Sequence, residues 1–197
     1  MSDLLLMSGG IDSVAIAAWK RPKLCVTIDY GQRPAEAEIR SAAKVCQVLG
    51  LKHLVIQTDV SNFGAGDLSM SSVSPHSMHS EFWPFRNQYL ITLGAMAAIK
   101  NECHRVFIGT VMTDKRHRDG STQFVDAMSA LLELQEASIT LSAPALKLSS
   151  AELVRQSGIS REALAWSHSC HTSNLACGKC RGCHKHSEVM SQLGVRR

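Results

Sequence analysis

The chain has 197 residues, of which 45% are hydrophobic, 5% aromatic and 19% charged, with a formal net charge of +4 before its nine histidines are counted. This suits one globular domain with a sizeable core and excludes a low-complexity or disordered chain. The mild basic balance fits an anionic small molecule as well as nucleic acid.

Short apolar runs at 4–7, 23–30, 53–60, 105–111 and 138–144 read as strands. They are nearly continuous rather than alternating, the pattern of strands covered on both faces. Helix-like stretches lie between them: "DSVAIAAWK", "PAEAEIRSAAKVCQVLG", "NQYLITLGAMAAIKNE" and "QFVDAMSALLELQEA". Pro34 suits a first helical turn, Gly50 a C-terminal cap and Asn87 an N-cap. The alternation predicts an α/β fold with a doubly wound, mainly parallel five-stranded sheet, whose ligands sit beyond the carboxyl ends of the strands. Residues 61–85 are rich in Ser and Gly without a clear period, the mark of a functional or mobile loop. The main domain is expected over 1–164, with 165–197 a small cysteine-bearing appendage packed on it. No run reaches the roughly 18 apolar residues of a membrane span. "MSDLLLMSGG" has no basic n-region and no cleavage site, so a cytoplasmic chain with reduced thiols is expected.

The first strand ends in "SGGIDS", 8–13. Gly9 and Gly10 let backbone N–H groups approach a ligand, Ser8 and Ser13 add hydroxyls, and the helix starting near Asp12 turns its positive end to the same spot. Together these make an anion cradle, though neither a Walker A loop nor a dinucleotide fingerprint. After the second strand, Asp29, Gln32 and Arg33 stand where a doubly wound sheet meets a nucleotide. Arg86 offers bidentate recognition of a carboxylate or phosphate, and Asn87 both a donor and an acceptor. Beyond the fourth strand, Asp114 reads as a turn or site residue, and the Asp119 carboxylate can accept from a guanine-like edge.

Seven cysteines divide into Cys25, Cys46 and Cys103, in apolar stretches, and Cys170, Cys177, Cys180 and Cys183, crowded near the C-terminus. The odd total argues against a disulfide framework. Four soft ligands with two C-x-x-C steps suit a structural, tetrahedral zinc, with an iron–sulfur cluster as the rival. Gly178 and Gly182 allow the tight turns that bring the sulfurs together.

"SGGIDS" resembles the pyrophosphatase loop of the N-type ATP pyrophosphatases. Taken with "DYGQR" (29–33), "RNQYLITLGAMAA" (86–98) and the cysteine tail, the whole chain resembles the 7-cyano-7-deazaguanine synthases of that superfamily. The resemblance implies an adenine nucleotide alpha hydrolase-like fold, a homodimer, magnesium-ATP and a four-cysteine zinc site. It also implies pyrophosphate held at Ser8–Ser13 and a nucleotide and substrate pocket lined by Arg86 and Asn87. Three places depart from the family's pattern. Phe85 replaces a Gly, "KRHRDGS" (115–121) replaces a stretch in which only Asp119 matches, and Ser150 replaces a Lys that contacts phosphate. Lys147 is the candidate substitute for that Lys, and loop 61–85 is shorter than the family's.

The expected activity is adenylation of 7-carboxy-7-deazaguanine by ATP and amination by ammonia, through an amide, to 7-cyano-7-deazaguanine. Transfer to another amine, including one on a protein partner, and stopping at the amide is the close alternative. Thiolation of tRNA is a further one, with the basic stretch 115–118 on the phosphate backbone; it is disfavoured because no spare C-x-x-C pair stands in the catalytic half. A zinc-stabilised nucleotide-binding module without catalysis is the non-enzymatic alternative.

Overall fold

The computed structural model describes residues 2–114 and 117–195, so Lys115 and Arg116 of the basic stretch lie outside the described residues. Five strands, β1 (Asp3–Leu6), β2 (Leu24–Asp29), β3 (His53–Gln57), β4 (Arg105–Phe107) and β5 (Thr140–Ser142), form one sheet in the order β3-β2-β1-β4-β5. Every pairing is parallel. Helices α1 (Ile11–Lys20), α2 (Ala35–Leu49), α3 (Arg86–Lys100) and α4 (Thr122–Glu133) make the crossovers, and α5 (Ser150–Ser157), α6 (Arg161–Ala165) and α7 (Arg181–Gln192) follow β5. The chain steps outward from β1 to β3 and then returns to place β4 on the other side of β1. The strand order therefore reverses between β1 and β4, where such sheets open a crevice.

The periodicity of β1 explains the two core layers. Leu4 and Leu5 are both fully buried but point to opposite faces. Leu5 joins Val14, Ile16, Val45 and Leu153 beneath α1, α2 and α5. Leu4 joins Val26, Ile91, Val106 and Met128 beneath α3 and α4. A central strand that is apolar on both faces is what a sheet covered on both sides requires.

All five expected strands are present, and the last four are shorter than their apolar runs. From the fourth run, Ile108, Gly109 and Thr110 leave the sheet and line the central crevice. Gly50 closes α2 in the left-handed conformation, its N–H reaching the carbonyls of Cys46 and Gln47, as expected. Segment 61–85 is anchored on its inner side: Leu68 and Trp83 are buried, and Trp83 meets Tyr30 edge-on at 5.1 Å.

Asn87 is not a helix cap. The first helical residue of α3 is Arg86, and the cap position belongs to Phe85, at φ 55° and ψ 13°. A non-glycine residue in this region costs about 1–2 kcal/mol. The Phe85 ring is 80% exposed, so packing does not offset that cost. Phe85→Gly is expected to raise stability by about 1 kcal/mol in equilibrium denaturation. An unchanged or lowered stability would mean that the ring contributes contacts outweighing the strain.

Candidate active site

The turn after β1 is shaped by Gly9, at φ 75°. A Cβ there would lie 2.7 Å from Ser41 Oγ and 2.8 Å from the Glu38 carbonyl, so glycine is required for space as well as for conformation. The Gly9 carbonyl accepts from Ser41 Oγ and from the His168 amide, each at 2.8 Å. Ser13 Oγ donates to the Gly10 carbonyl at 2.9 Å and lies 3.4 Å from Ser8 Oγ. The Ile11 amide, first in α1, donates to Ser169 Oγ at 3.3 Å. The loop is thus pinned from α2 and from the cysteine segment, with the positive end of α1 behind it.

In front of the loop lies a cleft of two compartments. The inner one, about 310 Å³, has an apolar floor of Leu6, Val26, Ile28, Ile91 and Ile108. The outer one, about 290 Å³, is polar and carries Glu81, His117, Asp119, Arg181 and Lys185. Ser8, Arg86, Asn87, Thr110, Asp114 and His171 border both. Arg86 Nε donates to Asn87 Oδ1 at 3.3 Å, so these neighbours on α3 orient each other on the shared wall.

Four titratable groups define the electrostatics. Glu38 on α2 faces the inner compartment, and Gln32 Nε2 donates to its Oε2 at 2.9 Å. Burial pushes the Glu38 carboxyl up to about 7, although the Gln32 hydrogen bond and the Arg86 charge oppose the shift. Lys185 Nζ stands 2.8 Å from Asp12 Oδ2 and 2.8 Å from Asp114 Oδ1. Burial works against its charge, but the two carboxylates outweigh it and its pKa is raised. Glu81, buried, pairs with His117 at 3.4 Å and Arg181 at 3.6 Å. The His171 ring is held below the usual histidine range, chiefly by burial.

The cleft gathers Ser8, Arg86, Asn87, Asp114 and Asp119 among the residues singled out in the sequence. Gly9, Gly10, Asp12 and Ser13 build the loop behind it. Asp29, Gln32 and Arg33 are not on its walls. Asp29 Oδ1 accepts from the Gly31 amide, Arg33 is exposed, and Gln32 is buried with its side chain bridging the Tyr30 amide, the Ile28 carbonyl and Glu38. Lys147 lines a separate cavity with Met112 and Thr122, and Ser150 is buried with no hydrogen-bond partner for Oγ among the described residues. Sequence reasoning missed Glu38, Glu81, Thr110, His171, Arg181 and Lys185. The spacing of Arg181 and Lys185 was the available signal, since residues four apart share one helix face.

Cys170, Cys177, Cys180 and Cys183 converge with all sulfurs within 4.8 Å of one another. Cys177 and Cys183 are 3.9 Å apart, and Cys170 and Cys180 3.8 Å. The amides of Lys179 and Cys180 donate to Cys177 Sγ, and that of His171 to Cys180 Sγ, at 3.3–3.4 Å. A Cβ on Gly182 would fall 1.8 Å from the Ser169 carbonyl, so the first turn of α7 can approach the cysteine loop only with glycine there. Four sulfurs so arranged can hold a metal.

The fold and this site define a doubly wound α/β protein with a glycine turn at its switch point and a C-terminal four-cysteine cluster that could hold a metal. The chain belongs to the QueC family, described as queuosine biosynthesis protein QueC, which it matches over residues 2–194. It is 26% identical over 224 residues to the 7-cyano-7-deazaguanine synthase of Methanocaldococcus jannaschii, covering 99% of this chain and 97% of the relative. It is 29% identical over 212 residues to the enzyme of that name from Chromobacterium violaceum, covering 98% and 90%. Among solved structures, the U34-tRNA thiolase NcsA from Methanococcus maripaludis, with its 4Fe-4S cluster, shares the fold with a TM-score of 0.53 at 16% identity. That match covers 98% of this chain, which spans 64% of the thiolase chain.

The Glu38 shift predicts a pH dependence. Between an ordinary 4.5 and about 7 the folded chain keeps a proton that the unfolded chain has lost, so stability falls as pH rises through that window and levels off above it. Glu38→Gln removes this loss. Relative to wild type it is expected to gain about 3 kcal/mol between pH 4.5 and pH 8 in denaturant titrations. Parallel stability curves would overturn the assignment.

Proposed function

We propose that this chain is an ATP-dependent carbon–nitrogen ligase that adenylates 7-carboxy-7-deazaguanine and aminates it to 7-cyano-7-deazaguanine. Family membership motivates the reading, and the two-compartment cleft meeting at Ser8, Arg86 and Thr110 carries it. Adenylation joins two flat heterocycles through one phosphate, so it needs two adjoining chambers with an anion cradle at the junction. The inner chamber takes a purine ring on its apolar floor. The outer chamber takes the deazaguanine, whose N–H edge Asp119 accepts and whose carboxylate Arg86 orients.

The carboxylate oxygen attacks the α-phosphate of magnesium-ATP and pyrophosphate leaves, its charge stabilised by the Ser8–Ser13 loop and the α1 N-terminus. Ammonia attacks the acyl carbon and AMP leaves, giving the amide. The amide oxygen attacks the α-phosphate of a second ATP and pyrophosphate leaves; loss of AMP and of both amide protons gives the nitrile. No enzyme nucleophile is needed.

Cys170, Cys177, Cys180 and Cys183 would hold zinc. A metal–sulfur bond of about 2.3 Å in tetrahedral geometry separates sulfurs by about 3.8 Å, the separation of both close pairs in the chain. Four protein ligands leave no open position, so the ion would be structural.

An amine on a protein partner is the second reading, with the reaction ending at the amide. Phe63, Met70, Met78 and Phe85, between 73% and 99% exposed along 61–85, favour it as apolar surface for a partner. Pairing of two copies rests on the family resemblance. Thiolation of tRNA is disfavoured, because Cys25, Cys46 and Cys103 are buried and line neither compartment.

Incubation with ATP, magnesium, 7-carboxy-7-deazaguanine and ammonium is expected to yield the nitrile by mass, with two AMP and two pyrophosphate per product. Amide alone would favour the second reading, and absence of AMP would overturn both. Elemental analysis is expected to find one zinc per chain, lost in Cys180→Ser together with most of the ATP affinity; iron or no metal would remove the zinc assignment.

A further inference from the structure

Lys185 belongs to the cysteine segment, yet its ammonium stands inside the cleft. It lies on α7 two residues beyond Cys183 and lines the outer compartment with Ser8, Thr110 and Arg86. Its contacts are Asp12 Oδ2, in the first turn of α1, and Asp114 Oδ1, after β4, each at 2.8 Å. An ammonium has three donors. Two point to these carboxylates, and the third is the one available to a ligand oxygen.

The surroundings give this cation a task. The cradle at Ser8–Ser13 is built for an anion, but Asp12 lies within it and Asp114 on its flank. Two carboxylates beside a bound polyphosphate repel it strongly in a site partly shielded from water. The lysine on β5's far side does not correct this, because Lys147 lines another cavity. Arg86 borders both compartments, where its charge acts on Glu38 and Tyr30. Among the described residues Lys185 is the cation placed against both carboxylates.

We propose that Lys185 is a phosphate-binding residue of the ATP site, neutralising Asp12 and Asp114 and donating to the β- or γ-phosphate oxygens of the departing pyrophosphate. This deepens the ATP-dependent reading of the cleft and rests on it. The metal-binding segment then contributes a side chain to the nucleotide site in addition to bracing its loop through His168 and Ser169.

The test measures binding of α,β-methylene-ATP, AMP and inorganic pyrophosphate to the metal-loaded full chain. Lys185→Met is expected to weaken the ATP analogue and pyrophosphate roughly 10- to 100-fold, as loss of a charge-assisted hydrogen bond does. AMP, lacking those phosphates, is expected to change less than about twofold, and Lys185→Arg to retain most of the affinity. Equal weakening of AMP and ATP, or no weakening of either, would overturn the proposal. Because Lys185→Met leaves two facing carboxylates, Asp114→Asn and Asp114→Asn/Lys185→Gln serve as a second pair with that repulsion relieved. The same selective loss is expected between them, and its absence counts equally against Lys185. Wild type that binds pyrophosphate but no ATP would sink the ATP reading and leave the phosphate role standing. Wild type that binds neither would sink both.

Discussion

One carbonyl joins the three parts of the molecule that meet at the cleft. Gly9 turns its oxygen away from the ligand side, where it accepts from Ser41 on α2 and from the amide of His168 at the root of the cysteine segment. Only the left-handed backbone at Gly9 aims it there, and only the missing Cβ lets α2 come so close. With that oxygen satisfied, the loop presents Ser8 to the cleft and leads directly into α1. The tail is tied on by further bonds around the same point: Ser169 to the Ile11 amide, and Asn174 Oδ1 to the Ala37 amide at the start of α2.

Around this joint the charges are sorted by origin. The cations that face the cleft come from helices, Arg86 from α3 and Arg181 and Lys185 from one face of α7. The acids come from the first turn of α1, from α2 and from the turns between elements. Asp12 and Asp114 share Lys185, and Glu81 has Arg181 and His117. Glu38 has instead an amide, Gln32, and a more distant arginine, and its enclosure dominates. That is why its carboxyl is pushed up towards neutrality while the lysine opposite remains charged. The inner chamber is apolar with an acid of raised pKa, and the outer one is charged.

The elements that single stretches of sequence determine were legible. Both glycine-dependent turns, the five strands and the cysteine cluster follow from local rules of backbone conformation, burial and ligand spacing, although β3, at the sheet edge, has no buried residue. The start of α3 was not. Asn87 has the chemistry of a cap, but Phe85 holds the cap position in a conformation its own side chain disfavours, so propensity pointed two residues too far. Gln32 and Arg33 follow β2 as the sheet rule requires, yet the turn buries one and exposes the other. Glu38, Glu81 and Lys185 were invisible for a different reason. Their roles depend on segments up to 173 positions apart in the chain meeting at one point, as Asp12 and Lys185 do, and no local pattern encodes such a meeting.

That long-range meeting has a thermodynamic consequence. The cysteine segment is too small to bury a core of its own, so its order derives from the four sulfurs, from Val189 and Met190 of α7 packed into the main core, and from its bonds to the loop. The loop in turn owes its Gly9 geometry and the neutralisation of Asp12 to the segment. Two sites that stabilise each other through one shared structure are coupled, and the coupling is reciprocal. With Lys185 on the phosphates, metal at the cysteines raises affinity for a polyphosphate by the same factor by which the polyphosphate raises affinity for the metal. A lysine carried on the main domain would bind phosphate without that dependence; placed two residues beyond Cys183, it makes the assembled tail a condition for a neutralised cradle.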